Sequence, residues 1–273
     1  MMGTKKAIAA ATALWCLCAA CGDAPVRVFM AGDSTMADKP LYKTFTDSAT
    51  QERYADENLE RGWGQLLPAR FEAAVEVHNH AMNGRSTRSF VAEGRWQRLV
   101  DSLRAGDYVV IQFGHNDQSR EKGDRYASPA DYAAYLRRFV ADVRAKGATP
   151  VLCTPVVRRR FDDAGRFYDL HGAYPDSVRR VAAATGAALV DMQAGSRRLL
   201  EAAGEEGSKA LFLHVAPGRY RSLPYGKEDN THFNEAGAAA MAGLFVDSLR
   251  RSSLTGLKAH IKEPEPVATP AAK

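Results

Sequence analysis

Five short apolar runs, separated by amphipathic stretches, leave this chain few architectures. They fall at residues 26–30, 75–79, 108–113, 150–154 and 187–191. Runs this short, bounded by turn formers, suit strands buried on both faces, and helical spacing between them argues for parallel strands joined by crossover helices. The pattern therefore predicts one α/β domain, a five-stranded parallel sheet wrapped by helices. The clearest helix spans 128–146. Ser128 can cap it, Pro129 suits its first turn and Asp131 completes a capping box. Leu136, Phe139, Val140 and Val143 then share one apolar face before Gly147 stops the helix. A last helix begins near Asn234 and buries Met241, Leu244, Phe245 and Leu249.

The two ends read differently from this core. Lys5 and Lys6, an apolar run over 7–17 and the small residues Ala19 and Ala20 have the form of an export signal over 1–21, too short to span a membrane. Cys21, directly after those small residues, resembles the lipidated cysteine of a bacterial lipoprotein, with Cys18 standing where leucine is usual. Cleavage near Ala20 without a lipid is the alternative. The expected product is exported, periplasmic or held as a lipoprotein at the outer membrane or cell surface. The folded domain is expected over 22–257, and residues 258–273, rich in Pro, Ala and charge, read as a disordered tail. A monomer is expected.

Composition removes several function classes. Of 273 residues 45% are hydrophobic and 25% charged, which suits a globular domain with a sizeable core. The 37 Lys and Arg exceed the 32 Asp and Glu by only +5, or +3 without Lys5 and Lys6. That excess is too small and scattered for a nucleic-acid binder, and it is compatible with a polyanionic substrate. Cys16, Cys18 and Cys21 belong to the signal, so Cys153 stands without a disulfide partner, as a buried strand residue.

Ligands of open parallel sheets bind beyond the carboxyl ends of the strands. Three of the runs lead there into polar segments: Gly32-Asp33-Ser34-Thr35, Asn83-Gly84-Arg85-Ser86 and Gly114-His115-Asn116-Asp117. A fourth, Asp229-Asn230-Thr231-His232, precedes the last helix. Together they supply the parts of an acyl-transfer site. A serine hydroxyl needs a base, and His232 is the natural one for Ser34. Asp229, three residues earlier, can fold back and accept the other ring N–H. The backbone N–H groups of Ser34 and Gly84 and the Asn116 amide can meet a developing oxyanion.

In this order the blocks resemble the SGNH hydrolases, also called GDSL-type hydrolases. Ser34, Gly84, Asn116 and the Asp229/His232 pair stand at that family's four motif positions. The flanks Gly32-Asp33-Ser34-Thr35-Met36-Ala37, Arg61-Gly62-Trp63-Gly64, Asn83-Gly84-Arg85-Ser86-Thr87, Gln112-Phe113-Gly114-His115-Asn116-Asp117 and Lys227-Glu228-Asp229-Asn230-Thr231-His232-Phe233 are similar to its rhamnogalacturonan acetylesterase branch, over about residues 26–250. The resemblance implies a flavodoxin-like three-layer α/β/α sandwich, no metal or other cofactor, and removal of O-acetyl groups from pectic rhamnogalacturonan. The polar stretch 39–60 looks longer than the family usually carries and could border the substrate groove, which leaves xylan or another acetylated glycan open as substrate.

Other readings of single residues remain. Ser34 could cap a helix, Gly84 could simply turn the chain, and Asn116 could hold its own loop. His115, Arg85 and Tyr225 are candidate sugar contacts. For His115 a structural hydrogen bond is an equal reading, and Arg85 and Arg88 could meet a galacturonate carboxylate or simply be solvated. Asp33 and Asp117 are expected to hold loops, Trp63 to be half core, and Arg158-Arg159-Arg160 to be a solvated loop. His78 and His80 lack a third ligand and read as structural. The competing functions are a metallophosphatase, for which an Asp-x-His after the first strand is missing, and a non-catalytic glycan-binding lipoprotein on the same scaffold.

Overall fold

A computed structural model describes residues 24–263; the expected signal over 1–21, with Cys21, lies outside the described residues. Strand β1 (Val26–Gly32) opens the sheet. A hairpin follows, β2 (Tyr42–Thr46) with β3 (Arg53–Glu57), then the single turn α1 (Trp63–Leu66) and β4 (Val75–Asn79). Helices α2 (Thr87–Ala92) and α3 (Arg95–Asp101) lead to β5 (Tyr108–Gln112), and α4 (Pro129–Ala145) leads to β6 (Thr149–Cys153). Next come α5 (Tyr174–Thr185), β7 (Ala188–Val190) and α6 (Met192–Ser208), the last broken at Gly204. A second hairpin, β8 (Phe212–Val215) with β9 (Lys227–Phe233), precedes α7 (Glu235–Arg250) and α8 (Thr255–Lys258).

The parallel sheet has the order β4-β1-β5-β6-β7. Counting its five strands alone this is 2-1-3-4-5, the flavodoxin-like order, with the topological switch point beside β1. Alternation along the strands divides the core into two layers. Val28, Met30, Val110, Val151 and Cys153 face a cluster with Trp63, Met241, Phe245 and Leu249. Phe29, Ala31, Val109, Ile111 and Leu152 face the opposite cluster with Phe90, Trp96, Phe139 and Val178. Helices on both faces complete the three-layer sandwich.

The expected strands appear within a residue or two of their places, and β4 matches at both ends. Helix α4 is capped as expected by the Ser128 hydroxyl, which accepts from the Asp131 N–H at 3.2 Å. The reciprocal half of the box is replaced, because the hydroxyl donates to the Asp131 carboxylate at 2.7 Å. The expected start of the disordered tail at 258 is corrected. Ile261 is 7% exposed and bridges Phe71, and Lys262 N–H donates to Arg70 C=O at 3.0 Å. Leu257 and Ile261 lie one helical turn apart and bury together, which carries ordered chain to 263; the rest of the proposed tail lies outside the described residues.

Candidate active site

The first polar segment is a tight turn built by Asp33. Its backbone C=O accepts the N–H groups of Met36 at 3.2 Å and Ala37 at 3.0 Å, and its Oδ1 accepts from Thr35 N at 2.9 Å and Thr35 Oγ1 at 2.8 Å. With both neighbours bound inward, Ser34 is left at the rim, and its N–H donates no hydrogen bond among the described residues. The Arg61-Gly62-Trp63-Gly64 block braces the turn from below: Trp63 N–H donates to Thr35 C=O at 2.9 Å, and Gly64 N–H to Met36 C=O at 3.1 Å. A Cβ at Gly64 would lie 2.6 Å from the Met36 carbonyl oxygen, so the close approach requires glycine. Trp63 is fully buried, not half core, and donates Nε1–H to Gln112 Oε1 at 3.0 Å.

The fourth segment was expected ahead of the last helix and is found inside β9, where an irregularity creates its geometry. Between the pairs Leu213↔Asp229 and Phe212↔Phe233, β8 advances one residue while β9 advances four. Asn230, Thr231 and His232 therefore bulge from the ladder and fold His232 back over Asp229. Asp229 Oδ1 accepts the N–H groups of Thr231 and His232, each at 2.9 Å, and Oδ2 lies 2.9 Å from His232 Nδ1. Burial alone would raise the Asp229 carboxyl, but these donors hold it well below the usual carboxylate range. An ionised Asp229 fixes the Nδ1–H tautomer, and His232 Nε2 then faces Ser34 Oγ at 2.9 Å. Ser34, His232 and Asp229 thus form one continuous hydrogen-bonded chain.

The bulge is pinned from behind by the arginine run that was read as a solvated loop. Arg159 is 5% exposed; its N–H donates to Asn230 C=O at 2.8 Å and its guanidinium to Asn230 Oδ1 at 3.0 Å. Arg158 donates to Thr231 Oγ1 at 3.1 Å and to His115 C=O at 3.2 Å, tying the bulge to the third segment. Nothing in the run's composition separates such arginines from solvated ones.

Gly84 takes φ +73°, a left-handed conformation that favours glycine, and its N–H also donates to no described residue. Asn116 Nδ2 donates one hydrogen to Arg85 C=O at 3.0 Å, which orients the amide and leaves the second N–H available. Asp117 is sealed and accepts from Thr87 N–H at 2.9 Å at the start of α2, so it holds the loop as expected. Burial pushes its carboxyl up to about 7 against that bond.

Residue Lys39, at the head of the polar stretch, is unexpectedly buried. Its side chain is 1% exposed, its Nζ lies 2.7 Å from Glu60 Oε1, and it donates to Asn83 Oδ1. The Gln65 side chain also brackets its backbone, at 3.0 and 2.9 Å. One ammonium thereby joins the Ser34 turn, the Gly84 loop and Glu60. Beyond Lys39 the stretch becomes the β2–β3 hairpin, which meets the β8–β9 loop where Arg221 reaches Asp47 at 3.3 Å and Glu52 at 2.9 Å.

The three expected sugar contacts fare differently. Of its two readings His115 takes the structural one, as a buried strut. It is 4% exposed, its Nδ1 lies 3.2 Å from Asp33 Oδ2, and its ring packs edge-on against His171. Burial pushes the His115 ring down to about 4 despite Asp33, so near neutrality a neutral imidazole donates to an ionised carboxylate. Arg85 is drawn to Glu93, 3.0 and 3.1 Å from Nε, and to Asn83 C=O at 2.9 Å. Tyr225 stands 92% exposed on the β8–β9 loop, outside the hydrogen-bond network around Ser34. His78 and His80 stack on Phe29. Among the described residues no group of three His, Cys, Asp or Glu side chains could hold a metal ion.

Known proteins are similar to this chain in sequence and in fold. The GDSL-like lipase/acylhydrolase family pattern matches residues 45–240, a span that opens after the Ser34 turn. Rhamnogalacturonan acetylesterase RhgT of Bacillus subtilis is 40% identical over 237 residues, 87% of this chain and 94% of that protein. The probable rhamnogalacturonan acetylesterase YesY of Bacillus subtilis is 32% identical over 238 residues, 87% of this chain and 98% of its own. Among solved structures, protein YxiM of Bacillus subtilis superposes with a TM-score of 0.69 at 26% identity, covering 85% of this chain and 58% of that one.

Proposed function

The chain belongs to the GDSL-like lipase/acylhydrolase family, and from that premise we propose that it is a serine esterase removing O-acetyl groups from pectic rhamnogalacturonan. The observation that carries this reading is the unbroken chain from Ser34 Oγ through His232 to Asp229, each link 2.9 Å long. His232 Nε2 takes the Ser34 proton as Oγ attacks the acetyl carbonyl. The oxyanion that forms is met by the N–H groups of Ser34 and Gly84 and by the free N–H of Asn116, in a frame that needs no reorganisation. The imidazolium then protonates the departing sugar oxygen, leaving an acetyl-serine. Water, deprotonated by His232, attacks that ester; the acyl–Oγ bond breaks, Ser34 Oγ takes the proton back from His232, and acetate leaves. Asp229 stays ionised throughout and balances the imidazolium.

The substrate assignment rests on likeness to proteins named for rhamnogalacturonan, and export rests on the form of residues 1–21. Acetate release from acetylated rhamnogalacturonan and from acetylated xylan, with a chelator control, tests the function. Faster release from the pectic substrate, unaffected by chelator, is expected. Preference for xylan would overturn the substrate, and no release from either would favour the glycan-binding alternative. Labelling with a radioactive fatty acid, followed by Cys21→Ala, separates lipidation from simple cleavage.

A further inference from the structure

The rim of the candidate site carries four arginines, and they differ in what they hold. Arg85 is engaged by Glu93, Arg88 donates to Tyr126 C=O at 3.2 Å, and Arg158 braces the His232 bulge. Arg125 is the exception. Among the described residues its guanidinium makes no hydrogen bond, and its ionic neighbour is Asp124, 3.8 Å from Nε on a side chain 78% exposed. A pair so open to water neutralises little of its charge.

The place of this group matters as much as its freedom. A Cβ built on Gly84 would lie 3.0 Å from one terminal nitrogen of Arg125, 3.5 Å from its central carbon and 3.8 Å from the other nitrogen. The guanidinium therefore lies directly against the glycine whose N–H is a proposed oxyanion donor. Its backbone is set by a turn, with the N–H groups of Arg125 and Tyr126 both donating to Lys122 C=O at 2.9 and 2.8 Å. The side chain is 34% exposed, so a ligand can reach it. A planar, permanently charged fork in this position suits a carboxylate.

We propose that Arg125 is a specificity-determining residue that binds the carboxylate of a hexuronate residue while an ester of the same glycan lies at Ser34. The inference rests on the esterase reading for the position of the ester, and its ligand chemistry is carried by Arg125 itself. A hexuronate bears its carboxylate on the ring that carries the esterified hydroxyls, so ester and anion belong to one glycan. A neutral xylan backbone offers nothing to this cation. Arg125 thereby turns general ester chemistry into preference for an acidic glycan, and high salt weakens that preference.

Two measurements test it. The first is calorimetric binding of a rhamnogalacturonan oligosaccharide to Ser34→Ala and to Ser34→Ala with Arg125→Gln. The second is the ratio of kcat/KM on acetylated rhamnogalacturonan to that on acetylated xylo-oligosaccharide, for wild type, Arg125→Gln and Arg125→Lys. Loss of one charge-assisted contact should weaken uronide binding and lower the ratio by about ten- to a hundred-fold, with Lys recovering part of it. Unchanged uronide binding, or equal loss on both glycans, would overturn the proposal; equal loss would assign Arg125 to the oxyanion loop instead. Arg125-dependent uronide binding by a wild type that releases no acetate would sink the esterase reading and leave this one standing.

Discussion

The molecule contains two carboxylate–histidine pairs beside Ser34, and only one can do acid–base work. Asp229 and His232 lie 2.9 Å apart with side chains 17% and 30% exposed, and the free ring nitrogen meets Ser34 Oγ. Asp33 and His115 lie 3.2 Å apart with side chains 0% and 3% exposed, and His115 Nε2 is buried with no hydrogen-bond partner among the described residues. The chemistry of the pairs is the same; burial and the third partner separate them. In the open pair, on the proposed mechanism, the carboxylate stabilises a ring that gains and loses a proton. In the sealed pair burial keeps the ring neutral, so it serves as a fixed donor that holds the Asp33 turn and, through it, the nucleophile. A histidine close to a serine is a base only when it can also be charged.

Substitutions should expose this division. His232→Ala is expected to lower kcat by roughly 10⁶ with melting temperature little changed, and Asp229→Ala by roughly 10⁴ with some stability lost as the bulge loses its acceptor. Comparable loss from both would break the distinction between base and orienter. His115→Ala should show the opposite balance, about 2–4 kcal/mol of stability lost in denaturant unfolding as Asp33 loses its buried donor, with a fall in kcat no greater than about a hundred-fold. A larger fall in kcat at unchanged stability would make His115 a participant. Lys39→Met tests the junction between the two loops: it should lower kcat about ten- to a hundred-fold, because Asn83 and Gly84 lose their tie, while KM moves little.

The smallest expected effect on catalysis accompanies a slope of stability with pH. Asp33 is held down at about 2 from 3.8, burial opposing and the His115 and Thr35 donors prevailing, so its contribution is full above about pH 4 and is lost as pH falls toward 2. Asp117 behaves oppositely. Its carboxyl is raised to about 7 by burial, so the protein loses stability as pH rises from about 4 through 7. Asp117→Asn keeps an oxygen for the Thr87 N–H and removes the charge. Melting curves of this variant should lose the decline between pH 4 and 7, a difference of about 8–15 °C at pH 7; an unaltered decline would place its origin elsewhere.

Much of this was legible in the sequence, for identifiable reasons. The three inner strands, β1, β5 and β6, are buried along most of their length and read as apolar runs, the edge strands β4 and β7 less so, and α4 announced itself through Ser128, Pro129 and one apolar stripe. The four polar blocks were found because each follows a strand end or precedes a capped helix. The two hairpins were not: β2 and β3 are exposed along most of their length and leave no apolar run, while β8 is only four residues long and its partner β9 is polar up to Phe233. Nor does spacing along one chain show that three residues of β9 bulge while β8 advances one. Lys39, Arg158 and Arg159 were hidden for another reason: a buried cation and a solvated one have the same letter, and only the partners, Glu60, Asn83, Thr231 and Asn230, distinguish them. Arg125 is invisible on the same ground, because what marks it is a guanidinium that makes no hydrogen bond among the described residues.

The central claim is that Ser34 is the nucleophile served by His232, and covalent capture tests it most directly. The purified protein is treated with diethyl p-nitrophenyl phosphate and the adduct mapped by peptide mass spectrometry, with residual acetate release measured in parallel. The account predicts one diethylphosphoryl group per chain on the peptide containing Ser34, activity lost in proportion, and much slower capture by His232→Ala. Full activity after complete labelling, or inactivation with the group on another residue, would contradict it.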